Sequence, residues 1–105
     1  MAERLNGAGF EKKALAQDKL VLIDFYSDSC IPCKKMSPVL AEVEEKYQDR
    51  IFVGKVNVAY EQELVQMFQV QSAPTFLFFK KGEVIERLTG AQKKEKLEEI
   101  IESNI

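Results

Sequence analysis

Cys30 and Cys33 are the only cysteines in the 105-residue chain, and Ile31 and Pro32 separate them. Two thiols at that spacing can close a small disulfide ring and reopen it, which is thiol–disulfide exchange. The apolar run Leu20-Val21-Leu22-Ile23-Asp24-Phe25-Tyr26 leads into them, and a helical pattern opening around Pro32 follows. Cys30 therefore stands at or just before a helix's first turn, where unpaired backbone N–H groups favour a thiolate over a thiol. The end of a helix is its exposed end, so Cys30 is the candidate nucleophile. Cys33, one turn further in, is the candidate buried resolving thiol. Pro32 suits a first turn, because its missing N–H has no helical partner to lose.

Resolution of a mixed disulfide needs a deprotonated Cys33 in an apolar place, where its pKa is raised. Asp24 is the only charge between Leu20 and Tyr26. In a strand buried on both sides its ionised form is costly, which makes it the candidate base for Cys33, directly or through water. A buried carboxylate hydrogen-bonded for the sake of the fold, or a strand with one side facing solvent, are the other readings, and the residues leave all of them open. For the cysteine pair the alternatives are a structural disulfide and half of a metal site. Zinc usually takes four protein ligands, whereas this chain offers two cysteines and no histidine, so a metal would need a dimer or carboxylates.

The elements that must position these groups alternate. Phe10, Ala14 and Leu15 mark a short helix over 9–17. Residues 20–26 suit a strand covered on both faces. Met36, Val39, Leu40, Val43 and Tyr47 fall at helical spacing after Pro32. A second central strand spans 51–58, and a helix near 60–69 carries Leu64, Val65 and Phe68 on one face. Residues 75–80 form a strand, Lys81-Gly82 a turn, and 84–88 its hairpin partner. A last helix over about 92–103 has Leu97, Ile100 and Ile101 along one side, and a short strand near Arg4-Leu5 can precede the whole. Alternation closed by a hairpin predicts an α/β fold, a mixed sheet with helices on both faces.

Size predicts a single domain over 1–105. Hydrophobic residues at 46% and charged ones at 30% read as an ordinary soluble globular chain. A net charge of −2, with acids interleaved among the lysines, argues against a nucleic-acid partner. No apolar run approaches the roughly 20 residues that span a bilayer. The first residues, Met1-Ala2-Glu3-Arg4-Leu5, carry no hydrophobic signal core. A cytoplasmic protein is therefore expected, with no membrane partner and no need for more than a monomer. Structural disulfides are rare in that compartment, so a close cysteine pair points to catalysis or metal.

Several residues together resemble a thioredoxin over nearly the whole chain: Val21-Leu22-Ile23-Asp24-Phe25, Cys30-Ile31-Pro32-Cys33-Lys34, Pro38, Lys55-Val56-Asn57, Ala73-Pro74-Thr75, Gly82 and Gly90. A Cys-x-x-Cys beside a βαβ pattern is also the setting of a thioredoxin-like redox motif. The resemblance implies a mixed sheet of about five strands flanked by four helices. It makes Cys30 the attacking and Cys33 the resolving cysteine, Asp24 the buried acid, and Lys55 its charged neighbour. Ala73-Pro74 matches the family's cis-proline turn, whose backbone meets an extended substrate segment. Ser29, Ala73, Pro74, Thr75, Gly90 and Ala91 become substrate-binding positions, with Ile31 and Pro32 on the same apolar patch. Without the resemblance, Gly90-Ala91 reads as a strand-to-helix turn.

The implied activity is reduction of protein disulfides by the Cys30–Cys33 pair, with no bound cofactor and a thioredoxin reductase as the regenerating partner. A glutaredoxin-like use of glutathione and a thioredoxin-fold adaptor are the rivals. The departures are specific. The family's usual Trp-Cys-Gly-Pro-Cys is here Ser29-Cys30-Ile31-Pro32-Cys33, the chain has no tryptophan, and Tyr26 stands where a second one is common. Ile31 and Pro32 together with Lys55 are the expected tuners of the pair. The retained Pro32 predicts a reducing potential, and the altered flanks predict an unusual reductase partner.

Overall fold

A computed structural model describes residues 2–105 of the chain. The elements run β1 (Glu3–Arg4), α1 (Gly7–Phe10), β2 (Leu20–Tyr26), α2 (Ile31–Lys46), β3 (Ile51–Asn57), α3 (Gln62–Met67), β4 (Thr75–Lys80), β5 (Glu83–Thr89) and α4 (Lys94–Glu102). α1 continues as a π-helical segment, Glu11–Leu15. It starts earlier than the apolar spacing predicts, because the Asn6 side chain caps it, accepting the Gly9 N–H at 2.8 Å.

The strands form one five-stranded sheet in the order β1-β3-β2-β4-β5. β3 pairs in parallel with both β1 and β2, while β2–β4 and β4–β5 are antiparallel. This is the mixed sheet with four α-helices that the sequence led us to expect. β2 lies at its centre, and all seven of its residues are buried. The turn from β4 to β5 needs two residues at positive φ, and Lys81 (51°) and Gly82 (82°) supply them.

Period-2 alternation sorts β2 onto two cores. Leu20 and Leu22 join Met36, Leu40 and Val43 of α2, Phe76 and Phe78 of β4, and Leu97 and Ile101 of α4. Val21, Ile23 and Phe25 join Phe10, Ala14, Leu64 and Phe79 on the opposite face. There Phe10, Phe25, Phe68 and Phe79 stack edge-on or tilted, with centroids 5.3 to 6.3 Å apart. Asp24 continues the Leu20–Leu22 series, so the alternation that buries it also turns it toward α2. Its register partners are Lys55 on β3 and Phe76 on β4. α2 and α4 are tied at their far ends, where the Tyr47 hydroxyl donates to Glu102 at 2.6 Å.

Candidate redox site

The site lies where β2 hands over to α2. Ser27 through Cys30 form a tight loop: the Ser29 N–H donates to Ser27 Oγ at 3.3 Å, and the Cys30 N–H to the Ser27 carbonyl at 3.3 Å. The loop is moored to the end of β3, where the buried Asn57 amide donates to Asp28 at 3.2 Å. The other end of that amide accepts the Ala59 N–H at 2.9 Å, so both halves of a buried polar group are satisfied.

Cys30 is the N-cap of α2, with extended backbone angles (φ −88°, ψ 110°). Its sulfur accepts the Cys33 N–H at 3.1 Å, the hydrogen bond an N-cap oxygen ordinarily takes. A donor and the helix dipole both converge on Sγ, and both favour negative charge there. Cys30 and Cys33 are joined in a disulfide, with Cα atoms 5.2 Å apart, within the usual span for such a bond. Cys33 is 4% exposed, whereas Ile31 between the two is 67% exposed. Pro32 is exposed as well, in the first turn of the helix.

Across from the disulfide, the Ala73–Pro74 peptide bond is cis. The Ala73 carbonyl oxygen comes within 3.5 Å of Cys30 Sγ. The Pro74 carbonyl accepts the Gly90 N–H at 2.8 Å, which brings the β5–α4 loop alongside. Gly90 has φ +86°, a conformation that side chains disfavour. Ser29 and Ala91 are exposed, and Ala73 and Gly90 are half-buried. Thr75 turns inward: it is buried, and its hydroxyl donates to the Ser72 carbonyl at 2.7 Å. Pro74 is buried beside it, so of this turn the half-buried Ala73 is the part that reaches the surface, while the Thr75 side chain shapes the turn from within.

Beneath the disulfide a cavity of about 150 Å³ is lined by Asp24, Tyr26, Ser27, Asp28, Cys33, Lys34, Ser37 and Lys55. Asp24 and Cys33 face the same space, which has room for bridging water. Asp24 is 1% exposed, and its Oδ1 has no hydrogen-bond partner. Burial lifts its carboxyl from an ordinary pKa of 3.8 to about 7, against the pull of the Lys55 charge. Lys55 makes no ion pair with it; the ammonium lies 4.5 Å from the Tyr26 ring centroid. A carboxyl shifted this far can take up or release a proton near neutrality.

Asn57, Ser37 and Asp28 join this site with no role foreseen from sequence. Asn57 alone had a signal, a polar residue ending an apolar strand. Among the described residues no cluster of three or more histidine, cysteine or acidic side chains could hold a metal, and no helix is long and apolar enough to cross a membrane.

A family model described as thioredoxin matches residues 2–103. The chain is 44% identical over 90 residues to Thioredoxin-T of Drosophila melanogaster, covering 86% of this chain and 57% of that relative. It is 42% identical over 94 residues to thioredoxin of Alicyclobacillus acidocaldarius subsp. acidocaldarius, covering 90% and 89% of the two chains. With thioredoxin of Buchnera aphidicola subsp. Acyrthosiphon pisum it shares 33% over 101 residues, or 96% and 94%.

Proposed function

The chain belongs to the thioredoxin family and is a protein thiol–disulfide oxidoreductase, and we propose that Cys30 attacks and Cys33 resolves, with Asp24 as the base. The observation that carries this division is the Cys30 sulfur capping α2 and accepting the Cys33 N–H, above a cavity that Cys33 shares with Asp24.

In the reduced protein the Cys30 thiolate attacks one sulfur of a substrate disulfide. A Cys30–substrate bond forms, the substrate S–S bond breaks, and the departing thiolate takes a proton from solvent. Asp24, ionised, then accepts the Cys33 proton, directly or through water. Cys33 attacks Cys30 Sγ, the mixed disulfide breaks, and the second substrate thiolate leaves and is protonated. The substrate has gained two electrons and two protons, and Cys30–Cys33 is oxidised. No cofactor enters these steps, because both electrons come from the thiols.

The extended segment of the substrate lies along Ala73-Pro74, over the patch of Ser29, Ile31, Pro32, Gly90 and Ala91, with Lys55 tuning Asp24 from below. A thioredoxin reductase returns the pair to the dithiol. Ser29 and Ile31 put a small polar and a branched side chain where that reductase would meet Cys30, so the partner is an atypical one. We place the protein in the cytoplasm as one domain over 1–105, acting as a monomer. Trapping tests the division of labour: Cys33→Ser should accumulate mixed disulfides with natural targets, and Cys30→Ser should accumulate none. Capture by Cys30→Ser instead would reverse the assignment.

A further inference from the structure

One side chain reaches two carbonyls of the loop beside the disulfide. The Gln92 side-chain amide donates to the Thr89 carbonyl at 3.1 Å and to the Gly90 carbonyl at 3.2 Å. Its backbone N–H points the other way, to Met36 Sδ at 3.4 Å. Met36 is buried in α2, one turn beyond Cys33. Gly90 in turn donates to Pro74, and Ala73 faces Cys30. A closed circuit results: Cys30, Ala73-Pro74, Gly90, Gln92, Met36, and back along α2 to the cysteines.

We propose that Gln92 is a positioning residue, fixing the Gly90-Ala91 loop in the shape on which a protein disulfide substrate docks. An amide NH₂ carries two donors, which matches the two carbonyls it meets. Beyond the backbone bonds of Gly90 to Pro74 and of Gln92 to Met36, packing on the segment is thin: Gly90 sits at φ +86° with no atom outside its chain neighbours within 4 Å of where a Cβ would stand, and Ala91 is exposed. A loop with few buried contacts samples several shapes, and ordering it beforehand lowers the cost of binding. A small disulfide reaches Cys30 without the loop and gains nothing from that order. The inference rests on the proposed docking patch, which includes Gly90 and Ala91.

Gln92→Glu keeps the size of the side chain and removes both donors, and Gln92→Ala removes them without adding charge. Turnover of insulin with dithiothreitol is compared with turnover of neutral bis(2-hydroxyethyl) disulfide, and Ala91→Arg serves as the control for the patch. Both Gln92 variants should raise KM for insulin about tenfold with kcat unchanged, and leave the small disulfide untouched. A rise only in Gln92→Glu would reduce the effect to charge and overturn the proposal. Equal loss with both substrates would also overturn it, by locating the effect at the cysteines. An insulin KM raised by Ala91→Arg but by neither Gln92 variant would reject Gln92 and keep the patch. No change in any of the three would reject the patch and Gln92 with it.

Discussion

The Lys55 ammonium lies 4.5 Å from the centre of the Tyr26 ring, although the register pairs Lys55 with Asp24 on the neighbouring strand. The aromatic face holds the cation beside the cavity and short of an ion pair, leaving Asp24 Oδ1 unpartnered. Tyr26 stands where relatives often carry tryptophan, so the exchange keeps a ring for the lysine to rest on. Asp24 consequently feels the positive charge at a distance, enough to oppose burial but not to cancel it.

Changing either partner should move the Asp24 titration in opposite directions. Lys55→Gln removes the charge that lowers the carboxyl pKa, so it should rise above about 7. Tyr26→Leu removes the ring and frees the ammonium to approach the carboxylate, so the pKa should fall. The readout is the pH at which the mixed disulfide resolves at half its maximal rate, measured in single turnovers. Identical midpoints in both variants and the parent would separate Lys55 from Asp24.

Stability should depend on pH through the same group. Asp24 holds its proton up to about pH 7 when folded, and loses it near 3.8 when unfolded. Between those values the folded state binds more protons, so stability falls as pH rises through the window and levels off above it. The difference corresponds to about 4 kcal/mol. Asp24→Asn should therefore be more stable than the parent by a few kcal/mol at pH 8, with the advantage gone by pH 4. Urea unfolding at both values checks the sign. An Asn variant less stable at pH 8 would contradict the burial argument.

Ile31, beside the nucleophile, is a large apolar side chain left 67% exposed. Covering such a side chain is worth about 1.5 to 3 kcal/mol when complete. Ile31→Gly should accordingly raise KM for protein disulfides by roughly three- to tenfold for half that burial, with kcat for a small disulfide nearly unchanged. Unaltered protein turnover would remove Ile31 from the docking patch.

Asn57 anchors the loop that delivers Cys30, through Asp28 on one side and Ala59 on the other. Asn57→Leu preserves bulk but leaves the Ala59 N–H without its acceptor, at a cost of about 1 to 3 kcal/mol. Asp28→Ala removes the acceptor of the Asn57 amide from the exposed side, where water can replace it, and should cost less, about 1 kcal/mol. Urea midpoints of the two variants test the ranking, and a larger loss for Asp28→Ala would reverse it.

Much of the site could be read before any coordinates. The spacing of Cys30 and Cys33, the lone charge of Asp24 in an apolar run, and Pro32 in the first turn all act within a few residues of one another. The unbroken apolar run around Asp24 pointed to a strand covered on both faces, and all seven residues of β2 are buried. Thr75 shows the limit. Its sequence position beside Pro74 suggested a surface role, and only the turn geometry directs its hydroxyl to Ser72. Gln92 gave no signal at all, since its partners include Met36, 56 positions away along the chain.

The sequence by itself determined the chemistry: two thiols at the end of a helix, a buried acid upstream, and strands and helices in the order that builds this sheet. These are local matters of spacing, capping and periodicity, carried by residues close together in the chain. The tertiary structure alone decided what meets the thiols. It set beside Cys30 the cis Ala73–Pro74 turn that only the family resemblance had implied, and it brought Lys55 onto Tyr26 and the Gly90 loop against Pro74. Those contacts join segments tens of residues apart, and strand pairing and core packing bring them together. No local pattern encodes that proximity.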